Sequence, residues 1–357
     1  AGSNAAANSE TTSGSIGFTS PDGIQTVSLG GPVLTGSNQT FTDATGSLTA
    51  SYVYNATTGV GTISYTYTLV DNTSGDNTSA SFAVVVTDAD GDPAPAGNLI
   101  INIVDDVPTA HADTNNVAEG GIVGGNVLTD GTDDVFGADG AAAGGGVVGV
   151  RAAGGDTTTA VVTGVNTVIN GSFGTLTLQA NGSYSYDGNP NAVPAGGATD
   201  VFVYTIMDGD GDLSTTTLTI NLTDSGLAAT NEDATVNEAA LAIGSNPAST
   251  AETVAGTVAD NVSGGTGPYT FTLVGSPTGS HGTLTLNANG TYSYTLTSPV
   301  DGVDANNGTN TVNNVETFTY QATDANGNIV TNTITIDVTD DVPTAHADTN
   351  NVAEGGI

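Results

Sequence analysis

Residues 174–186 read GTLTLQANGSYSY, and residues 282–294 read GTLTLNANGTYSY. In the first copy Leu176 and Leu178 alternate with Thr before Asn181-Gly182, and Tyr184 and Tyr186 alternate with Ser after it. A period of two places every second side chain on one face of a strand. Asn-Gly accepts the positive φ of a primed two-residue turn, so each stretch predicts a β-hairpin with one apolar face.

The sequence around these hairpins repeats as well. DVFVYTIMDGDGD (200–212) matches ETFTYQATDANGN (316–328) and, more loosely, ASFAVVVTDADGD (80–92). In all three a Phe (Phe82, Phe202, Phe318) stands six residues before an Asp (Asp88, Asp208, Asp324). Each then runs into an alternating apolar strand that ends on an acid: Asp105, Asp224 and Asp340. DVPTAHADTNNVAEGGI at 106–122 returns letter for letter at 341–357, a period of 235 residues. That period is too long for one small sandwich and is halved by the weaker repeat. Three domains follow, at 1–105, 106–224 and 225–340, with 341–357 opening a fourth. Thr and Val fill the predicted strands, Gly, Asn and Asp fill the connections, and no helical period of useful length appears. The fold class is all-β, with tandem β-sandwich domains in an extended rod.

The chain has 37 acidic residues against one basic residue, Arg151, for a formal charge of −36. Nothing can neutralise phosphates, which excludes nucleic acid and makes an anionic membrane a poor partner. No stretch approaches the length of a membrane span, which excludes direct membrane insertion by a helix. Of the acids, 30 are Asp and 7 are Glu, a bias towards turns and Ca²⁺-binding loops. With 37% apolar residues in ordered runs, the chain folds and needs countercharge. Ca²⁺, a hard cation that prefers carboxylate and carbonyl oxygens, is the expected cofactor. Cysteine is absent, so a bound metal rather than a disulfide is the available staple. The chain starts and stops within a repeat, so it reads as an excerpt.

Strand parity predicts where the acids meet. In a seven-strand sandwich the B–C and F–G loops and the incoming linker share one end. In the second domain these are Asp130, Asp133, Asp134 and Asp139; Asp208, Asp210 and Asp212; and Asp105 and Asp106, with Pro108 stiffening the linker. The corresponding third-domain positions are Asp224, Asp233, Asp260 and Asp324, with Asn326 and Asn328 replacing two acids and offering carbonyls for a weaker site. Asp88, Asp90 and Asp92 form the same turn in the first domain, and Asp340 and Asp341 the exit of the third. Three acidic segments at one junction repel unless a divalent ion lies between them. Glu119, Glu238 and Glu354, just after each domain start, are open between ligands and exposed strand acids.

GNVLTDGTDD (125–134), GTLTLQANGSYSYD (174–187), DVFVYTIMDGDGD (200–212) and TLTINLTD (217–224) together resemble VCBS and cadherin-like (bacterial Ig-like) repeats. Residues 46–92 resemble the repeats of type-I-secreted giant RTX adhesins. The resemblance implies a bacterial cell-surface location, type I secretion, and Ca²⁺-dependent stiffening of a stalk. It also implies that Asp88, Asp208 and Asp324 bind interdomain calcium with Asp105, Asp106, Asp224, Asp340 and Asp341 of the linkers. The partners are then neighbouring repeats of the same chain.

Other readings are weaker. Paired carboxylates of a glycosidase line a sugar cleft, whereas these lie in Gly-rich turns of a chain without Trp; an enzyme is not expected. His111, His281 and His346 have no Cys or second His nearby in sequence for a tetrahedral site. Gly144-Gly145-Gly146 precedes no helix or lysine and is a loop, not a phosphate cradle. The alternative function is a repeat subunit of a self-assembling extracellular filament or sheath, with other copies of itself as partners in a fibre. A third is a binding domain using the insertion at 298–314.

Overall fold

Both Asn-Gly hairpins form, with a different turn from the one their sequence suggests. The computed structural model describes residues 10–70, 78–301, 310–343, 345–352 and 354. In it Leu176 pairs with Tyr186 and Leu178 with Tyr184. The connection is three residues long: Gly182 N–H bonds Gln179 O at 3.0 Å, and Gln179 N–H bonds Ser183 O at 2.9 Å. Gly182 has φ 84°, while Asn181 keeps a negative φ and its Oδ1 accepts Ser183 N–H at 3.1 Å. This is a type I turn followed by a left-handed Gly. Gly290, with φ 87°, repeats it, and the Asn289 side chain accepts Thr291 N–H at 3.2 Å. The Asn side chain holds its own backbone in the right-handed half of the turn.

Alternation of buried and exposed residues continues through 24 strands, and two 3₁₀ turns, Glu238–Ala240 and Ala259–Asn261, are the helical elements among the described residues. The first sandwich contains β1 (Thr11–Thr19), β2 (Ile24–Leu29), β3 (Gln39–Thr42), β4 (Gly46–Asn55), β5 (Val60–Leu69), β6 (Ser79–Asp88) and β7 (Gly97–Asn102). Its sheets are ordered β1-β5-β4-β3 and β2-β6-β7. The second contains β8 (Asp113–Ala118), β9 (Ile122–Asn126), β10 (Val147–Ala152), β11 (Val168–Asn170), β12 (Gly174–Leu178), β13 (Ser183–Gly188), β14 (Ala198–Met207) and β15 (Leu213–Thr223). Its sheets are β10-β14-β15-β8 and β11-β12-β13-β9.

The third sandwich contains β16 (Ala228–Ala229), β17 (Glu232–Asn237), β18 (Thr253–Thr257), β19 (Val262–Ser263), β20 (Thr270–Val274), β21 (Gly282–Leu286), β22 (Thr291–Leu296), β23 (Thr311–Thr323) and β24 (Ile329–Thr339). Its main sheets are β17-β24-β23-β20 and β18-β22-β21, with β16 and β19 paired separately. The first strand of the second sandwich, β8, lies parallel to its last, β15, and β17 repeats this against β24. In the first sandwich the outer edge of β7 carries no such strand among the described residues.

Each sandwich has its own core, and the repeated Phe explains why. Phe82 packs on Tyr67, Phe202 on Tyr186 and Phe318 on Tyr294, with ring centroids 5.6, 6.0 and 5.9 Å apart. Such pairs bridge the two sheets at the tilts aromatic rings prefer. Three further acids serve this frame. Asp200, 3% exposed, accepts Ser172 N–H at 2.7 Å, Phe173 N–H at 3.0 Å and the Tyr186 hydroxyl at 2.6 Å. Glu316 and Asp43 accept turn N–H groups in the same way in the third and first sandwiches.

Candidate metal centre at the first junction

The loop from β9 to β10 and the turn from β14 to β15 lie at the same end of the second sandwich, and the linker from the first sandwich crosses them. Thr109 and Val135 exchange backbone hydrogen bonds of 2.7 and 2.9 Å, strapping the linker to the long loop. Asp106 Oδ2 accepts Ala138 N–H at 3.0 Å. The backbone of Asp139 packs on Gly209 so closely that a Cβ there would come 2.5 Å from Asp139 O. These contacts bring Asp105, Asp210 and Asp212 into one group and Asp139, Asp208 and Asp210 into another. Within each, three carboxylate oxygens lie within 4.8 Å of one another.

That spacing fits a calcium-sized ion. Two oxygens each about 2.4 Å from a common centre are separated by no more than about 4.8 Å. Asp208 shows which of its atoms is available. Its Oδ1 accepts Gly211 N–H at 3.0 Å and Asp212 N–H at 2.7 Å, which fixes the turn. Its Oδ2 has no hydrogen-bond partner although the residue is 1% exposed. Asp105 Oδ2 is likewise buried without a partner. A carboxylate oxygen in that state carries a large desolvation cost unless a cation meets it. Burial pushes the Asp208 carboxyl above the usual range, and contact with Asp210 adds to this against the opposing N–H bonds. Asp105 is raised by burial and then by Asp212 and Asp210.

The other expected ligands are placed elsewhere. Asp134 and Asp130 point to the base of the long loop instead of its tip. Asp134 Oδ1 accepts His111 N–H at 2.6 Å, and Asp130 Oδ2 accepts Asn126 N–H at 2.7 Å. Asp133 is exposed. Asp88, Asp90 and Asp92 form their turn at the far end of the first sandwich, where Asp88 Oδ1 accepts the N–H groups of Asp90 and Asp92. Asp224 and Asp260 are exposed. Asp324 is buried and accepts N–H groups of its own turn and of Thr266. Asp340 is buried near Glu238, and Asp341 bonds Ser245. Of the insertion at 298–314, residues 302–309 lie outside the described residues.

Glu119 and Glu238 are buried, 3% and 5% exposed, and so are not exposed strand acids. Glu119 accepts Val193 N–H at 3.1 Å and the Ser225 N–H and hydroxyl at 3.1 and 2.8 Å. Glu238 accepts Val300 N–H at 2.8 Å and Asp341 N–H at 2.6 Å. Each clamps the exit of its sandwich to a neighbouring loop. Glu354 is exposed.

Asp113, at the start of β8, was not expected at all. It is 3% exposed, its Oδ1 has no partner, and its Oδ2 lies 3.0 Å from the Tyr204 hydroxyl. The same hydroxyl faces His111 O at 2.8 Å, Val127 O at 3.1 Å and Asp134 Oδ2 at 3.2 Å, so one proton serves four oxygens. Burial pushes Asp113 up to about 6, with the Tyr204 hydrogen bond opposing and Asp134 and Asp130 adding to the rise.

A folded-state pKa above the ordinary carboxylate value means that the native state binds this proton more tightly than the unfolded chain. The stability it contributes is full below the ordinary value and is lost as pH rises through about 6. Asp105, Asp134 and Asp208 shift in the same direction. In chelator, the melting temperature of the second sandwich is therefore expected to be about 5 °C higher at pH 5 than at pH 7. Calorimetry at the two values checks this; a lower melting temperature at pH 5 contradicts the assignment.

A family model described as a bacterial Ig domain matches residues 105–221 and 228–337, more than half of the chain. The chain therefore belongs to the bacterial Ig domain family. No curated protein matches the sequence. Among solved structures, domains EC22–24 of mouse cadherin-23 are similar at 14% identity, with 90% of this chain and 87% of that one covered and a TM-score of 0.28. Extracellular domains 1–4 of protocadherin gamma B7 match at 11% identity over 82% of this chain and 66% of that one, with a TM-score of 0.27. An endo-fucoidan hydrolase of glycoside hydrolase family 107 matches at 14% identity and a TM-score of 0.26, over 92% of this chain but 42% of the hydrolase. This chain thus spans less than half of the hydrolase and under two thirds of the protocadherin fragment's length.

Proposed function

We propose that this chain is a structural extender segment of a large bacterial cell-surface adhesin of the type-I-secreted RTX class, with VCBS-like repeats and a first junction stiffened by Ca²⁺. The domain limits in this reading are 1–105, 106–224 and 225–340, followed by the start of a further repeat at 341–357. The observation that carries it is the meeting of linker, loop and turn acids around Asp210, with the buried Asp208 Oδ2 lacking any donor. Binding one or more cations there would join successive sandwiches and would couple folding to the calcium-rich exterior. No catalytic role is assigned to any of these acids.

Calorimetric titration of the chelated chain with CaCl₂ tests the reading, together with its melting temperature in calcium and in chelator. Saturable binding with a rise in melting temperature is expected. Equal melting temperatures in millimolar calcium and in excess chelator would sink it.

One observation favours the alternative of a self-assembling filament. β7 leaves its outer edge without a strand among the described residues, where β15 and β24 are covered. Free edges pair with other chains. Small-angle scattering separates the two: a concentration-independent mass supports the extender, and growth into fibres supports the filament.

A further inference from the structure

The turn between β23 and β24, Asp324–Asn328, corresponds in sequence to Asp208–Asp212, and in both the N–H of the first residue bonds the carbonyl of the fifth, at 2.9 and 3.1 Å. Asp324 Oδ1 accepts Asn326 N–H at 2.9 Å and Asn328 N–H at 2.8 Å. The difference lies in the other oxygen. Asp324 Oδ2 accepts Thr266 N–H and the Asn328 side-chain amide, both at 3.0 Å, whereas Asp208 Oδ2 meets no donor. Burial pushes Asp324 up, but the N–H of Thr266 and the Asn328 and Asn326 donors outweigh it and leave the carboxyl below its ordinary value.

Asn328 is 0% exposed and reaches across to the second sandwich. Its Nδ2 points to Glu119 O at 3.4 Å, and its Oδ1 accepts Asn191 N–H at 3.0 Å. Asn191 Oδ1 in turn accepts Ile329 N–H at 2.9 Å, so Asn191 is bonded both to the Asn328 side chain and to the backbone of the next residue across the junction. The backbones also meet closely: a Cβ on Gly120 would stand 2.5 Å from Asn326 O. An amide both donates and accepts, so a neutral group satisfies a carboxylate, a carbonyl and an N–H at once. The aspartate at the equivalent place in the first junction, Asp212, can only accept when ionised. The linker has changed in step. Ser225 follows Asp224 where Asp106 follows Asp105, and its hydroxyl donates to Glu119.

We infer that the second junction is a metal-independent lock, closed by the Asn328 amide in the place where the first junction presents carboxylates. The expected weak calcium site with Asn carbonyl ligands is therefore replaced: the Asn328 carbonyl and both Asp324 oxygens are already occupied. Chelation frees the first joint and leaves the second fixed. The contrast rests on the cation reading of the first junction, but the lock does not.

The full chain has no cysteine, so paired spin labels can be placed at will. Val53, Val168 and Val274 are 69%, 64% and 48% exposed, one on each sandwich. The pair Val53→Cys and Val168→Cys reports the first junction, and Val168→Cys with Val274→Cys reports the second. In chelator the first distance distribution is expected to broaden while the second keeps its single narrow peak. Broadening of the second by chelator overturns the lock. If neither responds, the cation reading of the first junction fails and the lock stands. Adding Asn328→Asp is expected to broaden the second distribution in chelator and to narrow it again in calcium. Asn191→Gly retains the positive φ of 54° at this exposed turn and is expected to broaden the distribution in both conditions. No change in either variant overturns the role given to the amide pair.

Discussion

In excess chelator the Asp210→Asn chain is expected to melt above the wild-type chain, and in millimolar calcium below it. Asp210 belongs to both carboxylate groups of the first junction, so one substitution lowers the charge of both. Without a cation, removing a like charge from a crowded, partly desolvated cluster relieves repulsion worth about 1 kcal/mol. With calcium at about a hundred times its dissociation constant, the bound ion contributes about 2.7 kcal/mol, most of which the variant forfeits. The crossing of sign distinguishes a ligand from a merely structural acid, whose loss costs stability in both buffers. Differential scanning calorimetry in the two conditions reads it directly. A variant less stable than wild type in chelator as well would remove Asp210 from the site.

The second large effect lies in the core. Phe202→Ala is expected to cost about 3–5 kcal/mol, because Phe202 is 0% exposed and packs edge-on against Tyr186 between the sheets. The loss falls on the second sandwich, since the three buried clusters share no residues. In a calorimetric trace the transition of that sandwich shifts down by roughly 15 °C, while the others stay in place. Phe202→Leu recovers part of the loss by refilling the space. A uniform downward shift of every transition would show the sandwiches to be one cooperative unit instead.

Much of this was legible in the sequence, for identifiable reasons. Alternating Leu and Tyr around Asn-Gly located the hairpins, since the pattern reports which face is buried. It did not report the turn type, because the same pair serves a primed turn or a type I turn with a left-handed Gly, and the Asn side-chain bond decides between them. Asp208, Asp210 and Asp212 were readable as a group because they are adjacent in one turn. Asp139 alone of the long loop's acids reaches them, since Asp134 and Asp130 are held at the loop's base by His111 and Asn126 N–H groups. Sequence spacing carries no measure of which end of a loop is pinned. The spacing of the acids does not single out Asp113, because its role depends on Tyr204, distant in sequence. Asn328 was read as a carbonyl because an amide presents either end; Asn191, from the other sandwich, selects.

The side-by-side placement of first and last strands has a consequence for a chain held at both ends. Tension enters the second sandwich through β8 and leaves through β15, and these run parallel through six residue pairs from Leu218–Asp113 to Thr223–Ala118. β17 and β24 repeat the geometry over six pairs. Pulling slides such strands past one another in shear, so the slanted, evenly spaced bonds of the ladder share the load instead of unzipping one by one. Rupture then requires several bonds to fail together, which slows forced unfolding at a given pull.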